Sequence, residues 1–234
     1  MEPLAEDWDR AVAVVAHPDD LEYGAAAAVA RWTGQGRQVC YLLATRGEAG
    51  IAGMPPGQAG PLREEEERRG AAAVGVSQVV FLDHADGLVE YGLPLRRDLT
   101  AAFRRLRPQV VLTMSFDLTW GDDGPVNHSD HRAIGLAVLD AARDTANEWV
   151  FPDAGPAWPG IRHIYVGGSG RPTHFTDVSA TIDAGVASLR AHRAYLAGLG
   201  GEFDADKFLR DAASATGGIV GCEYAVSFRH YPAG

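Results

Sequence analysis

The sequence predicts an α/β protein, a three-layer sandwich with helices on both faces of a mainly parallel sheet. Three observations predict it. Short β-branched apolar runs recur along the chain, longer segments with helical features separate them, and the runs are apolar throughout instead of alternating. Strands covered on both faces read in this way, and a strand–helix–strand rhythm implies parallel crossovers. Residues 11–16 (AVAVVA) are the first buried strand, followed by an Ala-rich helix over 21–32 that Gly34 and Gly36 stop. Residues 39–45 are the second strand, and 47–60, with five glycines and two prolines, form a long loop. Pro61 opens a helix whose first turns carry Glu64 to Glu67, near the positive end of its dipole. Residues 79–82 are the third strand. Pro94 starts a helix that stops at Arg107, before Pro108. Residues 110–114 are the fourth strand, 115–127 a polar loop, and about 129–147 a helix. A Pro/Gly connection over 151–160 precedes a fifth strand at 161–166. Residues 182–199 and 203–213 are helical, and 225–228 are a late strand at an edge.

Composition narrows the function classes. The chain has 234 residues, with 46% hydrophobic residues, which suits one α/β domain spanning 1–234 with a sizeable core. The net charge of −10, from 21 Lys+Arg against 31 Asp+Glu, argues against a nucleic-acid partner, which needs a basic face. Cys40 and Cys222 are the two cysteines and lie in no CxxC, so a reducing compartment with two buried thiols is expected. Glu2, Glu6, Asp7 and Asp9 give the N-terminus the wrong sign for a signal peptide. No apolar stretch approaches the ~20 residues of a membrane helix. A soluble, cytoplasmic protein with no membrane partner is expected, and a homo-oligomer is neither favoured nor excluded.

Ligands of parallel sheets gather beyond the carboxyl ends of the strands. The first strand ends there in His17-Pro18-Asp19-Asp20, not in a glycine-rich phosphate turn, which disfavours a dinucleotide site. His17 and Asp20, three apart, can be aimed at one point by a turn, leaving Asp19 free for proton work. The plainer reading is that Asp19 or Asp20 caps the following helix. A second cluster, His128-Ser129-Asp130-His131, stands where the polar loop meets a helix. Alone it reads equally well as a surface helix start. Together the clusters supply a short-spaced ligand pair and a distant third ligand, the layout of a catalytic zinc with one open position.

HPDD after the first strand and HxDH after a later one resemble the LmbE-like, or PIG-L, zinc de-N-acetylases. The resemblance runs from Ala11 to about Asn147 and takes in Thr45-Arg46-Gly47-Glu48 and Arg63-Glu64-Glu65. It implies a Rossmann-like fold and zinc held by His17, Asp20 and His131. It also implies Asp19 as general base and His128 as the group that stabilises the intermediate or protonates the leaving amine. Two positions depart from the family pattern: Leu21 stands where an acidic residue commonly follows HPDD, and Asn127 where a glycine commonly precedes HxDH.

The expected activity is zinc-dependent removal of an N-acyl, typically N-acetyl, group from an amino sugar or related small molecule. An amidase of a thiol or sugar conjugate and a non-catalytic sugar-binding module on the same fold are the alternatives. Fe(II) or another divalent ion suits the same N/O donors. Asp130 fixes a histidine tautomer or caps the helix. Arg46 and Glu48 bind substrate or pair with each other; Arg63 clamps a substrate anion or pairs on the helix surface with Glu66 or Glu67. Asp83, His84 and Asp86 line the pocket or form a turn. Trp120 stacks on a sugar or anchors its loop, where Asp122 is a further candidate. His163, His174, His192 and His230 lack partner spacing and read as structural or surface residues. The part from about residue 151 is expected to shape specificity.

Overall fold

The computed structural model describes residues 1–121, 123–200 and 203–233. Its strands are β1 (Glu2–Pro3), β2 (Arg10–Val15), β3 (Gln38–Leu43), β4 (Gln78–Phe81), β5 (Val110–Met114), β6 (His163–Gly167), β7 (His174–Asp177) and β8 (Ala225–Pro232). Its helices are α1 (Ala26–Gly34), α2 (Pro56–Ala73), α3 (Leu93–Leu106), α4 (Ser129–Asp144), α5 (Ile182–Arg190), α6 (Arg193–Gly198) and α7 (Ala205–Val220), with a 3-10 turn at Pro152–Ala154.

The strands form one sheet in the order β1-β7-β8-β6-β5-β2-β3-β4. β2 pairs in parallel with both β3 and β5, Ala13 lying opposite Tyr41 on one side and Leu112 on the other. The chain therefore winds outward from β2 in two directions, and a crevice opens beyond the carboxyl ends of β2 and β5. Both histidine clusters sit on the segments that leave these two ends.

Alternate residues of the strands enter two cores. Ala11, Ala13, Val15, Tyr41 and Leu43 pack with α1, α2, α5 and α7, around Trp32 and Phe228. Val12, Val14, Leu42 and Val111 pack with α3 and α4, around Leu99, Phe103 and Ile134. Each fully buried side chain of this size contributes about 1.5–3 kcal/mol of transfer free energy, so the doubly covered strands form the rigid base of the crevice. The fold is the expected Rossmann-like three-layer sandwich with a mainly parallel sheet. No helix is long and apolar enough to cross a membrane among the described residues.

Several elements differ from the sequence expectation. Helix α1 starts at Ala26 because residues 18–25 are spent on turns around the HPDD segment. Helix α2 starts at Pro56, not Pro61, which lies inside it. Having no N–H, Pro61 leaves the Gly57 carbonyl, in the first turn of the helix, without its intrahelical donor. The helix expected over 182–199 is two, α5 and α6, separated by Ala191 and His192. The late strand is longer than expected and is not at an edge: β8 lies between β6 and β7, antiparallel to both. Cys40 is buried as expected, but Cys222 is half-buried; both are free thiols.

Candidate metal centre and its surroundings

β2 runs out at Val15, and the chain turns sharply over the next five residues. Asp20 Oδ2 closes the turn by accepting the backbone N–H of Ala16 (3.0 Å) and His17 (2.9 Å). Its other oxygen, Oδ1, lies 3.1 Å from His131 Nε2, on the first turn of α4. His17 Nδ1 lies 3.2 Å from the same nitrogen. Ligand atoms of His17, Asp20 and His131 thus all lie within 4.8 Å of one another, across 114 residues of sequence. Atoms that each stand about 2.1 Å from a shared ion are spaced in this way.

The far edges of both rings are held. His17 Nε2 faces Asp86 Oδ1 at 3.0 Å and Asp130 Oδ2 at 3.2 Å. His131 Nδ1 meets Asn127 Oδ1 at 2.9 Å. Acceptors on these edges place the ring protons there and leave His17 Nδ1 and His131 Nε2 as bare lone pairs facing Asp20. Two such nitrogens and a carboxylate oxygen are donors suited to a divalent cation, and their geometry fits one.

The electrostatics agree. Burial disfavours charge on His17, yet Asp130, Asp20 and Asp86 overcome it and hold its pKa well above the usual imidazole range. Burial raises the pKa of Asp20, but His131 and His17 outweigh it and hold the carboxylate well below the usual range. The cluster thus concentrates negative charge and draws in positive charge, from protons where no metal supplies it.

Asp19 is turned away from this donor set. Its φ of 91° is rare for a side chain other than glycine and costs about 1–3 kcal/mol, which the surroundings must offset. Its Oδ2 lies 3.1 Å from Arg63 Nη2, and both side chains are almost fully buried. Burial and the charge of Asp20 push the Asp19 pKa up, Arg63 and His17 oppose them, and the result is about 7. A carboxyl group poised near neutrality suits proton transfer in both directions.

The other residues singled out in the sequence fall into place around this centre. Asp130 is fully buried; its carboxylate serves His17, not His131, and accepts the N–H of Gly87 (2.7 Å) and Val89 (3.2 Å), while its backbone N–H serves His128. His128 is the N-cap of α4, its Nδ1 accepting the N–H of Asp130 at 3.2 Å. This leaves Nε2 as the protonated nitrogen of a neutral ring, whose pKa burial and the charge of His17 lower. The ring stands edge-on to His17, centroids 4.9 Å apart. Glu48 accepts the N–H of Arg46 (3.1 Å) and of Asp86 (2.9 Å), bracing the loop that brings Asp86 to His17. The Arg46 guanidinium pairs with Glu64 and Asp83. Arg63 lies not on the helix surface beside Glu66 and Glu67 but inside, against Asp19 and over the Tyr195 ring (4.5 Å). His84 pairs with Asp98 at 3.1 Å. Trp120 stands edge-on to His131 at 5.8 Å, and Asp122 lies outside the described residues.

A cleft of about 380 Å³ opens on the centre, walled by Tyr23, Met114, Trp120, Tyr195 and Phe208 beside Asp19, Asp20 and His131. Tyr195 and Phe208 come from α6 and α7, for which the sequence carries no motif. Glu66 sets α6 by accepting the N–H of Ala194 at 2.7 Å. Asn127 is the other residue that sequence reasoning undervalued. Its Oδ1 also accepts the His128 N–H (2.8 Å), and its Nδ2 donates to the carbonyls of Ser115 (2.8 Å) and Asp117 (3.0 Å). It ties the loop after β5 to His131. Asn127→Ala is expected to weaken metal binding about 10- to 100-fold with all three ligands intact, as loss of an outer partner does, read by competition with a chromophoric chelator.

Several known proteins are similar to this chain. A diacetylchitobiose deacetylase from Thermococcus kodakarensis is 27% identical over 241 residues, covering 97% of this chain and 84% of that protein. The N,N'-diacetylchitobiose deacetylase of Pyrococcus horikoshii has the same fold, with a TM-score of 0.85 and 22% identity over 97% of this chain and 85% of that one. The conserved protein TT1542 from Thermus thermophilus superposes with a TM-score of 0.77 and 28% identity, covering 95% of this chain and 94% of that one. The family model for PIG-L, GlcNAc-PI de-N-acetylase, matches residues 12–142, the stretch that carries both histidine clusters, and the chain belongs to that family.

Proposed function

We propose that this protein is a zinc-dependent hydrolase that removes the N-acetyl group from an N-acylated amino sugar or a related sugar-containing small molecule. One observation carries the reading: His17, Asp20 and His131 converge on a single point while Asp19, near neutral pKa, stands beside them off the donor set. The names of the relatives, as deacetylases of acetylated sugars, support it.

In this reading His17 Nδ1, Asp20 and His131 Nε2 hold the metal, zinc or another divalent ion such as Fe(II). A divalent ion there supplies Lewis acidity toward an amide carbonyl and toward water. Asp19 takes the proton of the attacking water and returns it to the nitrogen as the C–N bond breaks, giving acetate and a free amine. His128, with its proton on Nε2, donates to the oxygen on which negative charge develops. Arg63 keeps Asp19 from becoming too basic to exist as the carboxylate near neutral pH. Asp130, Asp86 and Asn127 hold the two imidazoles in register. The aromatic walls of the cleft offer flat apolar faces to a sugar ring, and α6 and α7 then set which sugar fits. The two free thiols suit a reducing cytoplasm.

The test is amine release from a panel of N-acetylated mono- and disaccharides and sugar conjugates, with metal-replete and chelated protein. The expected result is one tightly bound metal per chain and release that chelation abolishes and zinc restores. A protein that binds these sugars with no release in the metal-replete form would be a binding module.

A further inference from the structure

Beneath the turn that carries Asp19 lies a second polar cluster, for which the reaction has no use so far. Glu22, Glu67 and His192 are each 0–1% exposed, and His192 Nε2 lies 3.9 Å from Glu22 Oε2 and 3.7 Å from Glu67 Oε2. Glu22 Oε2, Glu67 Oε1 and both His192 nitrogens have no hydrogen-bond partner. Burying such groups is costly, so their placement calls for a reason.

The reason lies in a single peptide unit. Arg63 and Glu67 are four apart on α2, so they share one face of the helix. Arg63 Nη2 donates to the carbonyl of Pro18 at 2.5 Å, and Glu67 Oε2 accepts the N–H of Asp19 at 3.2 Å. The carbonyl and the N–H belong to the same Pro18–Asp19 peptide. Both of its polar groups are therefore gripped by one helix face, and this is the peptide that precedes the positive φ of Asp19. A flip of that peptide would exchange its two ends, putting a carbonyl against Glu67 and an N–H against Arg63, and would remove the positive φ at which Asp19 is held beside Arg63. Behind the clamp, Ser188 Oγ donates to Glu22 Oε1 at 3.1 Å. Gly70, one turn after Glu67, makes room there, since a Cβ would stand 3.0 Å from His192 Nε2.

We infer that Glu67 is a positioning residue that, with Arg63, clamps the Pro18–Asp19 peptide and so aims the general base, with Glu22 and His192 as the buried backing of the clamp. The inference rests on reading Asp19 as that base. What Glu67 must supply is an acceptor oxygen at the right reach, not a charge. Burial and the charge of Glu22 in any case push its pKa well above the usual carboxyl range.

The experiment compares Glu67→Gln, Glu67→Asp and Glu67→Ala by kcat, KM, metal content and hydrogen exchange of the Asp19 amide. Gln keeps the acceptor and is expected to retain kcat within about threefold. Asp falls short by one methylene, and Ala lacks the acceptor. Both are expected to lose about 10- to 100-fold in kcat with KM and one metal per chain unchanged, the cost of a misaimed catalytic group. In an Asp19→Asn background the same changes are expected to alter kcat less than threefold, because the group being aimed is gone. The Asp19 amide exchanges slowly in wild type and Gln and fast in Asp and Ala, and this readout needs no substrate. If wild type releases no amine, the hydrolase reading fails and the exchange data still judge the clamp. Equal exchange in all four proteins would overturn it. So would a kcat loss in Gln matching that in Ala, or a second tightly bound metal that Glu67→Gln removes.

Discussion

Asp19→Asn is expected to lower kcat for amine release by about a thousandfold, within the range of about 10²–10⁴ that positioned acid–base groups supply. Asparagine is the informative replacement. It has the size of the native side chain and accepts a positive φ more readily than alanine, so the turn at φ 91° is preserved. The buried Arg63 guanidinium loses a carboxylate but keeps the carbonyls of Pro18 and Gly47 as acceptors. Metal content is therefore expected to stay at one per chain, while the melting transition falls because the buried Arg63 charge loses its counter-ion. Initial rates, metal analysis and thermal melts on one preparation check all three. An Asp19→Asn protein that turns over at near-native rates would remove Asp19 from the chemistry.

His131→Ala is expected to cost the metal itself. Zinc held by three or four protein ligands in small domains is bound with about 10–16 kcal/mol, so one ligand is worth about 3–4 kcal/mol, a few hundredfold in affinity. Dialysis should strip the variant while wild type keeps its ion, and activity should fall with occupancy. Imidazole removal here also deprives Asp20 Oδ1 of its partner at 3.1 Å and Asn127 Oδ1 of one of its two donors. The loss is therefore expected to exceed that of Asn127→Ala, which leaves every ligand in place. Retention of a tight metal in His131→Ala would move the centre elsewhere.

The parts of the site legible in the sequence are those encoded by short spacing at strand ends. His17 and Asp20 are three apart after a run of buried apolar residues, and His131 opens a helix after another such run, so topology alone brings them to one crevice. The clamp was not legible for a physical reason. Glu64 to Glu67 read as charges at a helix start because Pro61 is a strong punctuation signal. With α2 beginning at Pro56, Glu66 and Glu67 fall in its middle, facing the interior. His192 has no neighbour in sequence to mark it. Its partners come from 125 and 170 residues away, and the break between α5 and α6 that aims it inward carries no proline or glycine. The short strand β7, His174–Asp177, lacks an apolar run, and β8 continues past its apolar start into Arg229, His230 and Tyr231. Polar residues hid an interior strand because one face of this part of the sheet is only partly covered.

The placement of β8 has a consequence for how the chain is made. Since β8 is the antiparallel partner of both β6 and β7, and β1 pairs only with β7, those outer strands have no ladder to join until the ribosome has delivered residues 225–232. The half that holds β2 through β5 can organise before β8 is made, whereas the rest waits for its central strand. Chains stalled before that point would display the free edge of β6, a sticky template for pairing with a neighbouring nascent chain.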